Sequence, residues 1–136
     1  MCRWFEDLYS ICNALGLCFI PAGFCLALGP THLAKLFSAC TGWDMTPQDM
    51  MKAGEKVFTL LKAHTVRQGL TRKDDTWSYR FFTEPLPEGP AKVAVLSRDT
   101  IEQLLDEYYE LRGWDKTTGL PTIEKLNEIG LADVVG

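Results

Sequence analysis

A chain of 136 residues, 46% hydrophobic and 24% charged, fits one domain of ordinary size. Its 14 Lys plus Arg against 18 Asp plus Glu give a formal net charge of −4 with no dense basic tract, which excludes electrostatic capture of nucleic acid as the primary function. The longest strongly apolar region, about Leu15 to Leu28, is broken by Gly16, Pro21 and Gly23. It falls short of the roughly 20 residues a bilayer span needs, so no membrane partner is expected.

Apolar residues at Trp4, Leu8, Ile11, Cys12 and Leu15 follow the three-and-four spacing of one helical face. They predict an opening helix without a visible N-cap, its apolar arc broadened by Phe5 and Tyr9, ending at Gly16. The stretch bracketed by Pro21 and Gly23 has no assignable period and reads as loop or short helix. Thr31 offers a cap for a short helix through Leu33, Leu36 and Phe37 to Cys40, with Gly42 as a left-handed stop. Thr46, Pro47 and Asp49 then bring a cap, a first-turn proline and an early acid in the order that starts a helix. This helix should be the longest and should end at Gly69. Its buried face is expected at Met50, Gly54, Val57, Leu61, His64 and Gln68, with Gly54 marking the close approach of another backbone.

Residues 71 to 93 change character. Charged residues give way to Glu84-Pro85-Leu86-Pro87-Glu88-Gly89-Pro90, where three prolines forbid a regular helix. The expectation is an extended connection pinned to the body by burial of Phe81 and Phe82. Ser97 or Asp99 restarts a helix with Ile101, Leu104, Leu105, Tyr108, Tyr109 and Leu111 as its apolar set and Gly113 at its end. Thr122 caps a last short helix through Ile123, Leu126 and Ile129, closed by Gly130. No alternating strand pair is present in the pattern. The class is all-α: one irregular multi-helix domain over residues 1–136 with an extended proline-rich connection.

The 5 cysteines stand at positions 2, 12, 18, 25 and 40. An odd count argues against a closed disulfide framework and points to a reducing, cytoplasmic compartment. Acids and aromatics after Met1, in place of a basic run, give neither a secretory nor a transit signal. No two cysteines are separated by two residues, so the signature of a self-contained zinc or iron–sulfur site is missing. Cys2, Cys25 and Cys40 read as small buried apolar residues and Cys12 as helix packing. A cluster assembled from Cys12, Cys18, Cys25 and Cys40 would need long irregular spacings. His64 reads as a core histidine satisfied by one hydrogen bond and His32 as surface or cap. Asp74 and Asp75 read as loop anchors beside Arg72 and Lys73, and Asp106, Glu107, Glu110 and Arg112 as a solvated helix face.

Three ordered blocks carry a family resemblance. Asn13-Ala14-Leu15-Gly16-Leu17-Cys18 resembles the C-terminal cluster and pterin motif of the aldehyde ferredoxin oxidoreductases, tungsten enzymes of anaerobes. Arg72-Lys73-Asp74-Asp75-Thr76, with Arg80-Phe81 and the proline-rich run 84–90, is similar to that family's long connection. Leu105 to Asp115 is similar to its last long helix and the turn after it. The likeness spans nearly the whole chain and covers only the family's C-terminal helical region, which follows a β-rich domain and a middle helical domain.

The resemblance implies an enzyme that oxidises aldehydes with water to carboxylates. Two electrons would pass from a tungsten (or molybdenum) bis-pterin through a four-iron four-sulfur cluster to ferredoxin. It implies Cys18 as the fourth cluster ligand and this chain's one metal ligand, the other three coming from upstream. Asn13 would lie at a pterin edge, and Gly16 and Leu17 where the backbone approaches the same pterin. No catalytic residue and no cofactor bound by the chain alone are expected. Asn13 stands where the family has an Asp, offering one acceptor and a donor in place of two acceptors, and Phe19 stands where an acid often follows the cysteine. The implied partners are the upstream domains of the same enzyme and ferredoxin; the apolar opening helix adds a homo-oligomer contact. On Asn13 and the lack of further ligands, a second reading stays open: a stand-alone helical interaction module without redox activity.

Overall fold

The computed structural model describes residues 1–25 and 27–135. Helix α1 (Cys2–Ala14) has no side-chain cap and turns Leu8, Ile11 and Cys12 inward. A five-residue π-helix, Ile20–Phe24, fills the stretch that lacked a period; Leu26 of that stretch lies outside the described residues. Helix α2 (Pro30–Thr41) ends at Gly42 with φ 76°, as the sequence suggested, but its cap is Gly29 and not Thr31. Gly29 is extended and its N–H donates to His32 Nδ1 at 3.3 Å, while Pro30 takes the first helical position, where no donor is needed.

Helix α3 (Pro47–Arg67) is the longest, with 21 residues. Thr46 Oγ1 accepts the Asp49 N–H at 3.1 Å and Asp49 Oδ2 accepts the Thr46 N–H at 3.3 Å, a reciprocal cap. Leu8, Ile11, Cys12, Ala22, Leu33, Ala34 and Met50 form the core shared by α1, the π-helix, α2 and α3. Gly54 lets α3 touch the α1 backbone at Asp7, the close approach its glycine predicted.

The rest of the α3 face differs from expectation. Its buried residues are Met50, Gly54, Glu55, Thr59 and Ala63; Val57 is half-buried, while Leu61, His64 and Gln68 are exposed. The packed surface follows ridges of i, i+4 spacing, which wind round the helix by about 40° per step. A helix this long meets different neighbours along its length, so the stripe starting at Met50 leaves the core before His64, which is no core histidine.

The connection runs through a 3₁₀ turn (Arg72–Asp74), the four-residue α4 (Arg80–Thr83) and an irregular proline-rich loop. Aromatic burial does not pin it: Phe81 is 52% exposed and Phe82 half-buried. Ions do. Asp75 binds Lys62 and the Tyr109 hydroxyl, and Arg72 reaches Asp106 and Glu102, each at 2.6 Å. Asp74 accepts the Thr71 N–H at 2.8 Å.

Helix α5 (Arg98–Arg112) starts at Ser97 and stops at Gly113 with φ 69°. It buries Ile101, Tyr109 and Arg112 and leaves Leu104 and Leu111 exposed. Thr122 caps α6 (Ile123–Glu128), and α7 (Ala132–Val135) follows. Among the described residues there is no strand, only the isolated bridge Trp114–Pro121, and no helix is long and apolar enough to cross a membrane.

Candidate functional site

The end of α1 is a Schellman turn. Leu15 is the helix cap and Gly16 takes φ 69°; the Gly16 N–H donates to Asn13 O at 3.0 Å and the Leu17 N–H to Cys12 O at 2.8 Å. These bonds satisfy the last helical carbonyls and reverse the chain, so that Cys18 stands exposed just past a fixed helix end. Asn13, Gly16, Leu17 and Cys18 all lie exposed on this one turn. A Cβ on Gly16 would meet nothing within 4 Å, so its glycine serves the positive φ and leaves open space beside the turn. Exposed Ile20 and Tyr9 flank it, with Tyr9 and Phe19 edge to face at 4.9 Å.

The other thiols divide differently from expectation. Cys12 is buried, as predicted, and burial followed by nearby Cys18 pushes its thiol pKa up. Cys2, Cys25 and Cys40 are exposed. Each sits at an element end, as the first residue of α1, the cap of the π-helix and the penultimate residue of α2, where too few neighbours remain to cover it. Among the described residues no group of three or more His, Cys, Asp or Glu converges on a metal position, and a cluster from Cys12, Cys18, Cys25 and Cys40 finds no support. The donor set at this turn is one exposed sulfur. It fits a single ligand of a thiolate-held cluster and cannot complete one.

Behind α1 lies a charged network built on Arg112, which the sequence reading placed on a solvated helix face. Arg112 is 0% exposed. It donates to Asp7 Oδ1 and Glu6 Oε2, each at 2.6 Å, and to Arg3 O at 3.2 Å, with its guanidinium 4.5 Å from the Phe58 ring centre. Arg3 reaches Glu55 at 2.9 Å and Lys125 reaches the same carboxylate at 2.7 Å. Three acids, Glu6, Asp7 and Glu55, thus face three cations, Arg3, Arg112 and Lys125, where α1, α3, α5 and α6 meet. Burial opposes the Arg112 charge, yet its bonds to Asp7 and Glu6 hold its pKa above the ordinary arginine value. Burial pushes Asp7 up despite that contact. Burial, then the bonds to Glu6 and Asp75, push the Tyr108 and Tyr109 phenols up. Ile101, Leu105, Tyr108 and Arg112 share heptad spacing, the one sequence signal that could have placed Arg112 inside.

Residues 1–131 match the family described as "Aldehyde ferredoxin oxidoreductase, domains 2 & 3". The chain belongs to the aldehyde ferredoxin oxidoreductase family. It is 35% identical over 130 residues to the tungsten-containing aldehyde ferredoxin oxidoreductase of Pyrococcus furiosus, covering 95% of this chain and 20% of that protein. The figures are the same for the Thermococcus kodakarensis enzyme, at 35% over 130 residues, 95% and 20%. A more distant relative, 30% identical over 135 residues and covering 95% and 20%, is the Pyrococcus furiosus "Aliphatic sulfonate oxidoreductase, WOR-like subunit". Among solved structures, the fold matches the "Active site complex BamBC of Benzoyl Coenzyme A reductase in complex with 1,5 Dienoyl-CoA" with a TM-score of 0.75 and 28% identity, over 98% of this chain and 19% of that one. The chain therefore spans about a fifth of the length of these relatives and of that solved chain.

Proposed function

We propose that this chain forms the C-terminal part of an enzyme that oxidises an aldehyde with water to a carboxylate, and that Cys18 lends it one thiolate for a four-iron four-sulfur cluster. The reaction releases two electrons and three protons per aldehyde; when bound, the tungsten (or molybdenum) bis-pterin and the cluster supply the redox chemistry that carries the electrons to ferredoxin. The supporting observation is the position of Cys18, exposed and immediately beyond a hydrogen-bonded turn on a helix fixed by buried charge.

The chain's own residues hold and shield. Cys18 binds as the thiolate and gives up its proton on ligation. Asn13, exposed in the last turn of α1, offers one amide acceptor and one amide donor to a pterin edge, a looser hold than a carboxylate with two acceptors. The open space beside Gly16 admits a flat ring against the backbone of Gly16 and Leu17. Exposed Leu17, Ile20 and Tyr9 exclude water once an upstream surface closes over them. In this reading the enzyme works in the reducing cytoplasm.

Anaerobic reconstitution with iron and sulfide tests the proposal, with and without a polypeptide supplying the upstream domains, read by iron content and visible absorption. The expected result is a cluster that forms with the upstream polypeptide and is lost or reduced in Cys18→Ser. Equal iron and absorption in Cys18→Ser would remove Cys18 from the ligand set and favour the interaction module.

A further inference from the structure

We infer that Phe19, held edge to face on Tyr9, is the residue through which this chain sets the reduction potential of the cluster that Cys18 helps to hold. The inference rests on the reading of Cys18 as a cluster ligand and deepens it.

The segment that carries Cys18 brings no formal charge of its own. From Leu8 to Ala34 the sequence contains no Asp, Glu, Lys or Arg. Asp7, just before that run, is buried and its carboxylate is paired with Arg112 at 2.6 Å. A four-iron four-sulfur cluster on thiolates is anionic, and reduction adds one more negative charge. Its potential follows the charge around it, the hydrogen bonds to its sulfurs and its access to water. With formal charge absent from this segment, water access is the lever that its apolar side chains hold.

Phe19 is placed to control that access. It directly follows Cys18, and its backbone is already helical, at φ −72° and ψ −18°, as the residue that opens the π-helix. Its side chain is half-buried and packs on the core shared by α1, α2 and α3. The ring meets that of Tyr9 with centres 4.9 Å apart and planes at 86°, a favoured edge-to-face contact. Tyr9 and Asn13 stand four residues apart on one face of α1, so the two rings lie beside the turn that leads to Cys18. An aromatic cover of low polarity disfavours the extra negative charge of the reduced cluster and holds the potential low. Water admitted at this position would solvate the reduced form and raise it.

Redox titration of the assembled enzyme, followed by the EPR signal of the reduced cluster, tests this. Phe19→Asn opens the cover without adding charge and should favour reduction at least tenfold, a rise of about 59 mV for a one-electron couple. Phe19→Tyr keeps the ring and should titrate with the parent. Phe19→Asp matches the Asn variant in size and adds a carboxylate, which should set its potential at least tenfold below that of Phe19→Asn. Tyr9→Ala leaves the turn itself intact and removes the edge partner, so it should raise the potential, whereas Tyr9→Phe should not. If Phe19→Asn assembles without a cluster, Tyr9→Ala decides alone. An unchanged potential in Phe19→Asn or Tyr9→Ala, or Asn and Asp variants that titrate together, would overturn the inference. Cys18→Ser separates the two readings. A cluster lost or weakened in Cys18→Ser, beside unmoved potentials in the ring variants, strikes this inference only; an unaltered cluster in Cys18→Ser strikes the ligand reading itself.

Discussion

The α-carbon of Gly54 on α3 lies against the backbone carbonyl of Asp7 on α1, so close that a Cβ built on Gly54 would overlap that oxygen and come within 3.0 Å of Ile11 Cγ1. The Asp7 side chain in turn accepts a buried bond from Arg112 at 2.6 Å. One residue therefore fixes α1 to α3 through its backbone and to α5 through its carboxylate, and α1 is the helix that carries the Cys18 turn.

Gly54→Ala pits two effects against each other. Alanine gains about 0.8–1.0 kcal/mol of helix propensity. Overpacking against backbone that is itself buried costs about 1–3 kcal/mol, and the clash with Asp7 places this site at the upper end. Net destabilisation is expected, seen as a lower urea midpoint. A raised midpoint would mean that α1 and α3 do not meet at this glycine.

Arg112→Met leaves Asp7 buried without its principal cation. Breaking one side of a buried ion pair costs about 3–5 kcal/mol. The double variant Asp7→Asn with Arg112→Met should recover part of that loss, because no buried charge is then left unpaired at position 7. Equilibrium urea unfolding of both variants measures this, and a single variant as stable as the parent would show the pair to be solvated.

Thiol labelling reads the cysteine environments directly. Of the five cysteines, Cys2, Cys18, Cys25 and Cys40 are exposed and Cys12 is buried with its pKa raised. A chromogenic disulfide reagent at neutral pH should titrate four thiols in the folded, cofactor-free chain, the fifth appearing only on unfolding. Five rapid thiols would place Cys12 outside the core.

Three aspartates hold turns and helix starts. The hydroxyl and then the N–H of Thr46 hold Asp49 below its ordinary value, the N–H and then the hydroxyl of Thr71 do so for Asp74, and the hydroxyl of Thr118 with the neighbouring N–H groups does so for Asp115. A lowered folded pKa gives stability that is present above the unfolded value of about 3.9 and is lost as pH falls through the folded values. Asp7 works the other way, since burial raises it and protonation relieves that cost. Thermal midpoints should therefore fall below about pH 4, and less steeply in D49N/D74N/D115N. Equal slopes would remove these caps from the acid transition.

Local signals were legible in the sequence and distant ones were not. The order Thr46, Pro47, Asp49 fixes a helix start within four residues, and the α3 cap formed as expected; the stops at Gly16, Gly42, Gly113 and Gly130 have the same local origin. Arg112 was misplaced because its partners Glu6 and Asp7 lie more than a hundred residues away, and a charged residue among Asp106, Glu107 and Glu110 looks solvated until those partners are known. His64 and Leu61 were misplaced because a single stripe was extended along a helix whose neighbours change. Phe81 was expected to be covered, but the charged anchors already legible at Arg72 and Asp75 tie the connection down without its burial. The stop at Gly16 was readable because a turn of this kind is encoded by its glycine, whereas Asn13 to Cys18 stood out as a unit only through the family resemblance.

The most direct measurement is alkylation of Cys18, followed by mass spectrometry, in the assembled enzyme under anaerobic conditions before and after the iron is chelated away. If Cys18 ligates the cluster, its alkylation should be suppressed at least tenfold in the loaded enzyme and restored when iron is removed while the domains stay associated. Equal alkylation of Cys18 in the loaded and iron-free enzyme would contradict the account at its centre.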